Sequence, residues 1–453
     1  MTRRSALTAS LLLVLPLVPL RAQDTVPPVE QGVRIGITYT PGLRPGLMVL
    51  GGPRAEVMDS IRTILQRDLD FSDRFEMISL PGDTVPLGIA DAGGGGTPRA
   101  DGALFVNYSL HAALGADYSV AVLPTADPQS TVVAVYDVRG ETERRRFTVV
   151  GTDPGDDGLR LSVHRAADEI VRVVAGEPGF AASRLLFVSN GRLYRIDADG
   201  AGRSAISAPG TRTFSPAWDP TGTRALYTEL YEGWGRIVMQ DVRAGGTRVI
   251  PPTAQLLNYT ATVSPDGEVL AFSRSSEDGT DIYRYNLARD CCLERLTVGR
   301  FSDNLSPTFS PDGRRIAFVS TRAGGQQIYV MSADGTGQEL FAPFDYGVTG
   351  NSNAPEWSPD GTQVAFHRDV MGSPQIFLMD VRSRVVRQLT SYGRNEDPTW
   401  APDGRHLAFI SSRTGRRQVW VIDVESGRVR QLTTIGDARL PAWSPRIQEP
   451  MQP

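Results

Sequence analysis

The sequence of 453 residues predicts a small N-terminal α/β domain followed by an all-β six-bladed β-propeller closed by strands from both ends of its repeat region. Three observations carry that prediction. A motif returns every 43–48 residues after residue 183, helix-period apolar stripes are confined to the residues before it, and the Gly/Pro-rich stretch Gly176-Glu177-Pro178-Gly179-Phe180 joins the two.

Taken in order, Arg3 and Arg4 precede an apolar stretch over 7–20 that ends near Ala22, so residues 1–22 read as a signal peptide. Later residues hold no apolar run long enough for a membrane span, so the mature chain is expected not to be membrane-spanning. Residues 23–32 are expected to be a flexible segment. The α/β domain is placed at 33–175, with strands at 33–38, 75–80, 103–110, 118–123, 131–138 and 147–150 and a Gly-rich loop at 91–98. A helix over 54–69 buries Val57, Ile61, Ile64, Leu65 and Leu69. A second over 159–174 buries Leu159, Val163, Ala166, Ala167, Ile170 and Val174. Residues 176–182 read as the linker.

The repeat begins with a bulky apolar residue two positions before a proline: Trp218/Pro220, Val263/Pro265, Phe309/Pro311, Trp357/Pro359, Trp400/Pro402 and Trp443/Pro445. Gly222, Gly267, Gly313, Gly361 and Gly404 follow two residues later, then Tyr227, Phe272, Phe318, Phe366 and Phe409. Proline fixes φ and glycine accepts φ > 0, so each copy is a hairpin continued by two further strands. Four antiparallel strands per copy make a propeller blade. The last copy stops after its first strand, and residues 185–197 supply the later strands of a copy that lacks its own. Together they close one blade, which removes the open edges of the ring. The propeller is placed at 183–445, with a tail at 446–453.

Composition narrows the chemistry. All 47 basic residues are Arg, so a Schiff-base lysine and a phosphate-binding P-loop are excluded. Removal of residues 1–22 deletes three arginines and takes the formal charge from −4 to −7, unfavourable for nucleic-acid binding. No H-E-x-x-H and no G-x-S-x-G occur. His111 and His164 read as surface or boundary residues, and His406 as a hairpin-turn residue. Cys291 and Cys292 have no third cysteine to pair with; they are either two thiols or a vicinal disulfide, without a catalytic role. Asp266, Asp312, Asp360 and Asp403 read as turn caps rather than metal ligands. No catalytic residue, metal or cofactor is assigned.

The positions that the repeat does not dictate precede each first strand, where loops converge on the central opening. Asn258, Tyr259, Asp303, Asn304, Ser306, Asn353, Glu356, Glu396, Asp397 and Arg439 form a polar set suited to holding a protein loop. A competing reading is a secreted propeller hydrolase or lyase of lactonase type, with a channel metal held by Asp303, Glu356, Glu396 and Asp397.

The order of features resembles the TolB family of Tol-Pal envelope proteins over nearly the whole chain. It runs from the leader through Val33-Arg-Ile-Gly-Ile37, Asp70-Phe-Ser-Asp-Arg-Phe-Glu-Met-Ile78 and His164-Arg-Ala-Ala-Asp-Glu-Ile170 to six copies around Ser-Pro-Asp-Gly and Ile-Tyr-x-Met. The resemblance implies a monomeric, non-catalytic periplasmic adaptor supporting envelope integrity and cell division. Its implied partners are a Pal-type outer-membrane lipoprotein at the propeller opening and a TolA-type inner-membrane protein at the N-terminal segment. On that segment the implied contacts are Asp24, Val26, Val29 and Glu30. Where the family tends to carry a histidine or carboxylate on the early blades, this sequence has Tyr259, Leu305 and Ser306.

Overall fold

The computed structural model describes residues 44–50, 55–78, 106–250, 256–299, 301–342 and 350–448, all within one compact unit. The leader, the strand expected at 33–38, the Gly-rich loop and the N-terminal contacts Asp24, Val26, Val29 and Glu30 lie outside the described residues.

The first domain is a five-stranded sheet in the order β2-β1-β3-β4-β5. The strands are β1 (Gly46–Val49), β2 (Glu76–Met77), β3 (Tyr118–Pro124), β4 (Ser130–Asp137) and β5 (Thr142–Val150), with β1 parallel to both its neighbours. Helices α1 (Glu56–Phe71) and α3 (Asp157–Ala175) cover one face through the two expected stripes. The α3 ends follow capping rules: Asp156 accepts from the Leu159 amide, and Gly176 closes the helix at φ 87°. The expected strand at 103–110 is corrected. Its described part contains helix α2 (Tyr108–Ala113), capped by Asn107, whose side chain accepts from the Leu110 amide at 3.0 Å. A side-chain oxygen at Asn107 favours a helix start over continued extension.

After the linker, six four-stranded antiparallel sheets follow. Blades 1 to 5 are numbered in chain order, and blade 6 pairs Ala438–Trp443 with Arg184–Ser189, so the last strand closes on the first. Each core cluster is shared between neighbours, as where Ile376 and Leu378 of blade 4 pack on Trp400 and Phe409 of blade 5. The expected turn caps form: Ser264, Ser310 and Ser358 each donate to the aspartate two residues on at 2.5 Å. Cys291 and Cys292 are bonded to each other in the outer strand of blade 2.

Candidate functional site

The ring has two unlike faces. One carries the turns between first and second and between third and fourth strands of each blade. The α/β domain rests on this face over blades 5 and 6. The other carries the loops that lead into each first strand, and it holds the expected partner positions.

On the first face the contact is ionic and buried. His164 of α3 meets Asp68 of α1 at 2.7 Å, while its other ring nitrogen lies 3.7 Å from Asp197 of blade 6. Arg160 adds bonds to Asp197 at 3.0 Å and Asp199 at 2.9 Å. Burial opposes the charge on His164, but Asp68, Asp197 and Asp199 outweigh it and push its pKa to about 10. Further along, Asp73 after α1 receives His406 at 3.2 Å, Arg428 at 2.9 Å and Arg430 at 3.0 Å from blade 5. His406 is held in turn by Asp403 at 2.6 Å. Burial alone would raise the Asp73 carboxyl; His406 and the two arginines reverse this and hold it below the usual range.

His111, His164 and His406 are therefore not surface residues. All three are buried; His111 bonds the Ser119 hydroxyl at 2.9 Å. For His406 a sequence signal existed. It occupies the place of Arg224, Val269, Arg315 and Gln363 in other blades, and its neighbour Ala401 replaces the serine that caps the turn aspartate in blades 2 to 4. A departure from the repeat at two linked positions marked the contact.

On the opposite face the inner strands share a feature that sequence reading missed. Ser215, Thr260, Ser306, Ala354, Asp397 and Leu440 each have φ between 49° and 52°, and the pairing register shifts at each of these places. These are six equivalent β-bulges, each five residues before the repeat proline, and five of the six are followed directly by a proline. A non-glycine residue there costs about 1–2 kcal/mol, and bulges re-aim side chains beside functional sites. The recurring Xaa-Pro before Xaa-aromatic was the available signal.

The rim is stiffened by a second recurring device. Arg274, Arg322, Arg368 and Arg413 each lie over an aromatic pair of the second and third strands, as Arg413 does at 5.3 Å from Phe409 and 4.8 Å from Trp420. Each also bonds the first residue of the inner strand: Asn258 at 2.7 Å, Asn304 at 3.0 Å, Ser352 at 2.9 Å and Asn395 at 3.2 Å. Asn258 and Asn304, expected at the partner surface, are thus buried and bonded inward. Their side-chain oxygens accept from the clamp arginines and their nitrogens donate to Gly235 and Leu256 or to Thr280 and Asp281, so they position the rim.

Tyr259, Ser306, Asn353, Glu396 and Asp397 are partly exposed, and Asp303 and Arg439 exposed. Tyr259 reaches Thr280 at 3.4 Å and Asn353 bonds Gln326 at 2.8 Å. Glu396 pairs with Arg394 at 2.8 Å, and Arg439 with Asp437 at 2.6 Å. Glu356 joins two blades, accepting from the Thr399 hydroxyl and the Trp400 amide at 3.0 Å each. Burial pushes its pKa to about 7 despite those two donors. Asp397 lies 3.7 Å from His367.

The geometry does not gather Asp303, Glu356, Glu396 and Asp397 into a metal-ligand set. Among the described residues, ligand groups within 4.8 Å of one another are His164/Asp197/Asp199 and Asp73/His406/Asp423, both on the domain-contact face. Arginines already fill those two places. No helix of the described residues is long and apolar enough to cross a membrane.

Comparison with known proteins agrees with this architecture. The TolB beta propeller domain family matches residues 171–343 and 346–449. A protein TolB homolog of Chlorobium luteolum is 30% identical over 304 residues, covering 64% of this chain and 65% of that protein. The Tol-Pal system protein TolB of Bordetella pertussis is 27% identical over 227 residues, covering 49% of this chain and 51% of its own length. The matched region thus spans less than two thirds of these curated relatives. The crystal structure of TolB from Acinetobacter baumannii superposes with a TM-score of 0.72 at 21% identity, over 89% of this chain and 97% of that one. With the family matched across both halves of the ring and the same fold found over nearly the whole chain, the protein belongs to the TolB β-propeller family.

Proposed function

We propose that the chain is a non-catalytic periplasmic adaptor of a Tol-Pal-type system. In this reading the open face of the propeller binds a Pal-type outer-membrane lipoprotein, and residues 23–31 engage a TolA-type inner-membrane protein. The observation that carries the reading is the repeated bulge: six equivalent inner-strand distortions surround one opening, stiffened by arginine clamps and rimmed by partly exposed polar groups. Family membership supports it, as does a rim whose carboxylates are spent on hydrogen bonds and arginines rather than gathered for catalysis.

Tyr259 and Asn353 test the lipoprotein half, since both are accessible and neither anchors a clamp. The Tyr259→Ala, Asn353→Ala double variant is expected to weaken binding of the soluble domain of the lipoprotein by about tenfold or more, with the unfolding midpoint nearly unchanged. Unaltered affinity would move the site away from this rim. Deletion of residues 23–31 should abolish capture of the TolA-type protein and leave lipoprotein binding intact; loss of both would refute the assignment of separate sites.

A further inference from the structure

The open face carries two platforms of opposite charge, each with one exposed aromatic ring on a pinned loop. The first lies at blade 2. Glu277 and Asp278 form the exposed turn between its second and third strands, and Asp303 sits on the loop leading out of it. None of these three carboxylates forms an ion pair among the described residues. The loop is stitched to the turn: the Phe301 amide donates to the Asp278 carbonyl at 3.0 Å, and the Asp303 carboxylate accepts from the Thr280 amide at 3.1 Å. From this fixed backbone the Phe301 ring stands 91% exposed.

The second platform lies at blade 5: its turn Arg416-Arg417 is three blades from Glu277-Asp278 in a ring of six, and so across the channel, while the Tyr392 loop leading into blade 5 is two blades from the Phe301 loop leading into blade 3. Arg394, Arg416 and Arg417 surround it, with Arg439 of blade 6 alongside. Glu396 and Asp437 are each shared by two arginines, so the sector keeps a positive surplus. Its loop is also pinned: Arg394 and Ser412 exchange two hydrogen bonds, and Gln375 and Asn395 tie down the carbonyls of Gly393 and Tyr392. The Tyr392 ring is 71% exposed.

An apolar ring held in water on an ordered loop contributes nothing to folding, and aromatic side chains in such positions are the usual anchors of interfaces. Opposite charges on opposite sides of one opening fix the rotation of whatever lands there and speed its arrival. The geometry points to a two-point docking face. Its occupant is a single folded protein domain that presents a basic patch to Glu277, Asp278 and Asp303 and an acidic patch to Arg416, Arg417 and Arg439, with pockets for Phe301 and Tyr392. This rests on the adaptor reading and takes the occupant to be the soluble domain of the lipoprotein. An anionic lipid surface is disfavoured, because the acidic platform would be repelled by the same headgroups that attract the basic one.

The full chain is tested against that lipoprotein domain by biosensor kinetics at about 50 mM and about 300 mM salt, where screening lengths differ about two- to threefold. Phe301→Ala and Tyr392→Ala should each raise the dissociation rate about tenfold. The pairs Glu277→Arg, Asp278→Arg and Arg416→Glu, Arg417→Glu should each slow association severalfold at low salt, a deficit that fades at high salt. If the unaltered protein binds and both alanine variants bind equally well, the docking face is refuted while the adaptor reading stands. If the unaltered protein does not bind the domain at all, the adaptor reading itself falls. Self-association of the chain, weakened by the same variants in sedimentation, would assign the face to a second copy and overturn the proposal; capture by anionic vesicles that depends on Phe301 would do the same in favour of lipid.

Discussion

The two faces of the propeller are built from one repeat and have opposite chemistry. On the domain-contact face the ionisable groups are buried, paired and held away from their ordinary pKa values: His164 rises to about 10, and Asp73 is held low by His406, Arg428 and Arg430. On the open face, charged groups such as Glu277, Asp278 and Arg416 stay in water and aromatic rings stand beside them. The difference lies in partners. The α/β domain brings Asp70 and Asp73 to His406 and the arginines of blade 5, and Arg160 and His164 to Asp197 and Asp199 of blade 6, so that face is completed within the chain. Nothing in the described residues completes the other, and the free energy available there remains for an outside molecule.

The sharpest way to break the comparison is to remove the carboxylate that most cations share. Asp73 has φ 55°, so Asp73→Asn is the cleaner substitution, because asparagine tolerates that backbone and only the charge is lost. Arg428, Arg430 and His406 would be left facing a neutral group. Breaking a buried pair from one side costs about 3–5 kcal/mol, read as a fall in the urea midpoint of the transition that includes the α/β domain. A loss below about 1 kcal/mol would mean that this face is as dispensable as a surface ion pair.

The channel wall between the faces offers a second measure through pH. Glu356 has its pKa raised from 4.5 to about 7 by burial between blades 4 and 5. The folded protein therefore holds that proton more tightly than the unfolded chain. Its contribution is complete below about pH 4.5 and is lost as pH rises through about 7. Glu356→Gln keeps an acceptor for Thr399 and Trp400 without the charge. At pH 8 the variant should be more stable than the parent by up to about 3 kcal/mol, a gain that shrinks toward zero near pH 4. A constant difference across that range would show that Glu356 is not strained by its surroundings.

Much of this was legible in the sequence, and the part that was not has a common cause. Local information sufficed for the blades, whose hairpins are written by Pro-Asp-Gly at fixed spacing, and for α1 and α3, whose stripes reappear in one core cluster. It failed for β1, a four-residue strand buried along its whole length, because such a run lacks the alternation that betrays a one-sided strand. The histidines failed for a different reason. The carboxylate that makes burial of His164 tolerable lies 96 residues away, and His406, although Asp403 stands three residues before it, is covered by Asp73 from 333 residues away, so the burial of neither could be read from its neighbours alone. Asn258 and Asn304 were found as rim positions, but their role depends on which side of the strand the arginine clamp occupies. The bulges were marked by a second proline set, directly after five of the six positions, that stands apart from the Pro-Asp-Gly hairpins.

The smallest expected effect completes the contrast. Glu277→Arg with Asp278→Arg reverses two charges on an exposed turn that forms no ion pair among the described residues. Substitutions at such positions usually stay within about 0.5 kcal/mol of the parent, and neither residue buries apolar surface or caps a strand. The hydrogen bonds that order this platform run instead through the Asp278 carbonyl, the Thr280 amide and the Asp303 carboxylate, none of which the change removes. The thermal midpoint should therefore hold to within about a degree or two, while association with the lipoprotein domain slows. A destabilisation as large as that of Asp73→Asn would place Glu277 and Asp278 in the scaffold of blade 2, and the two faces would then differ in exposure alone, not in what their charges are for.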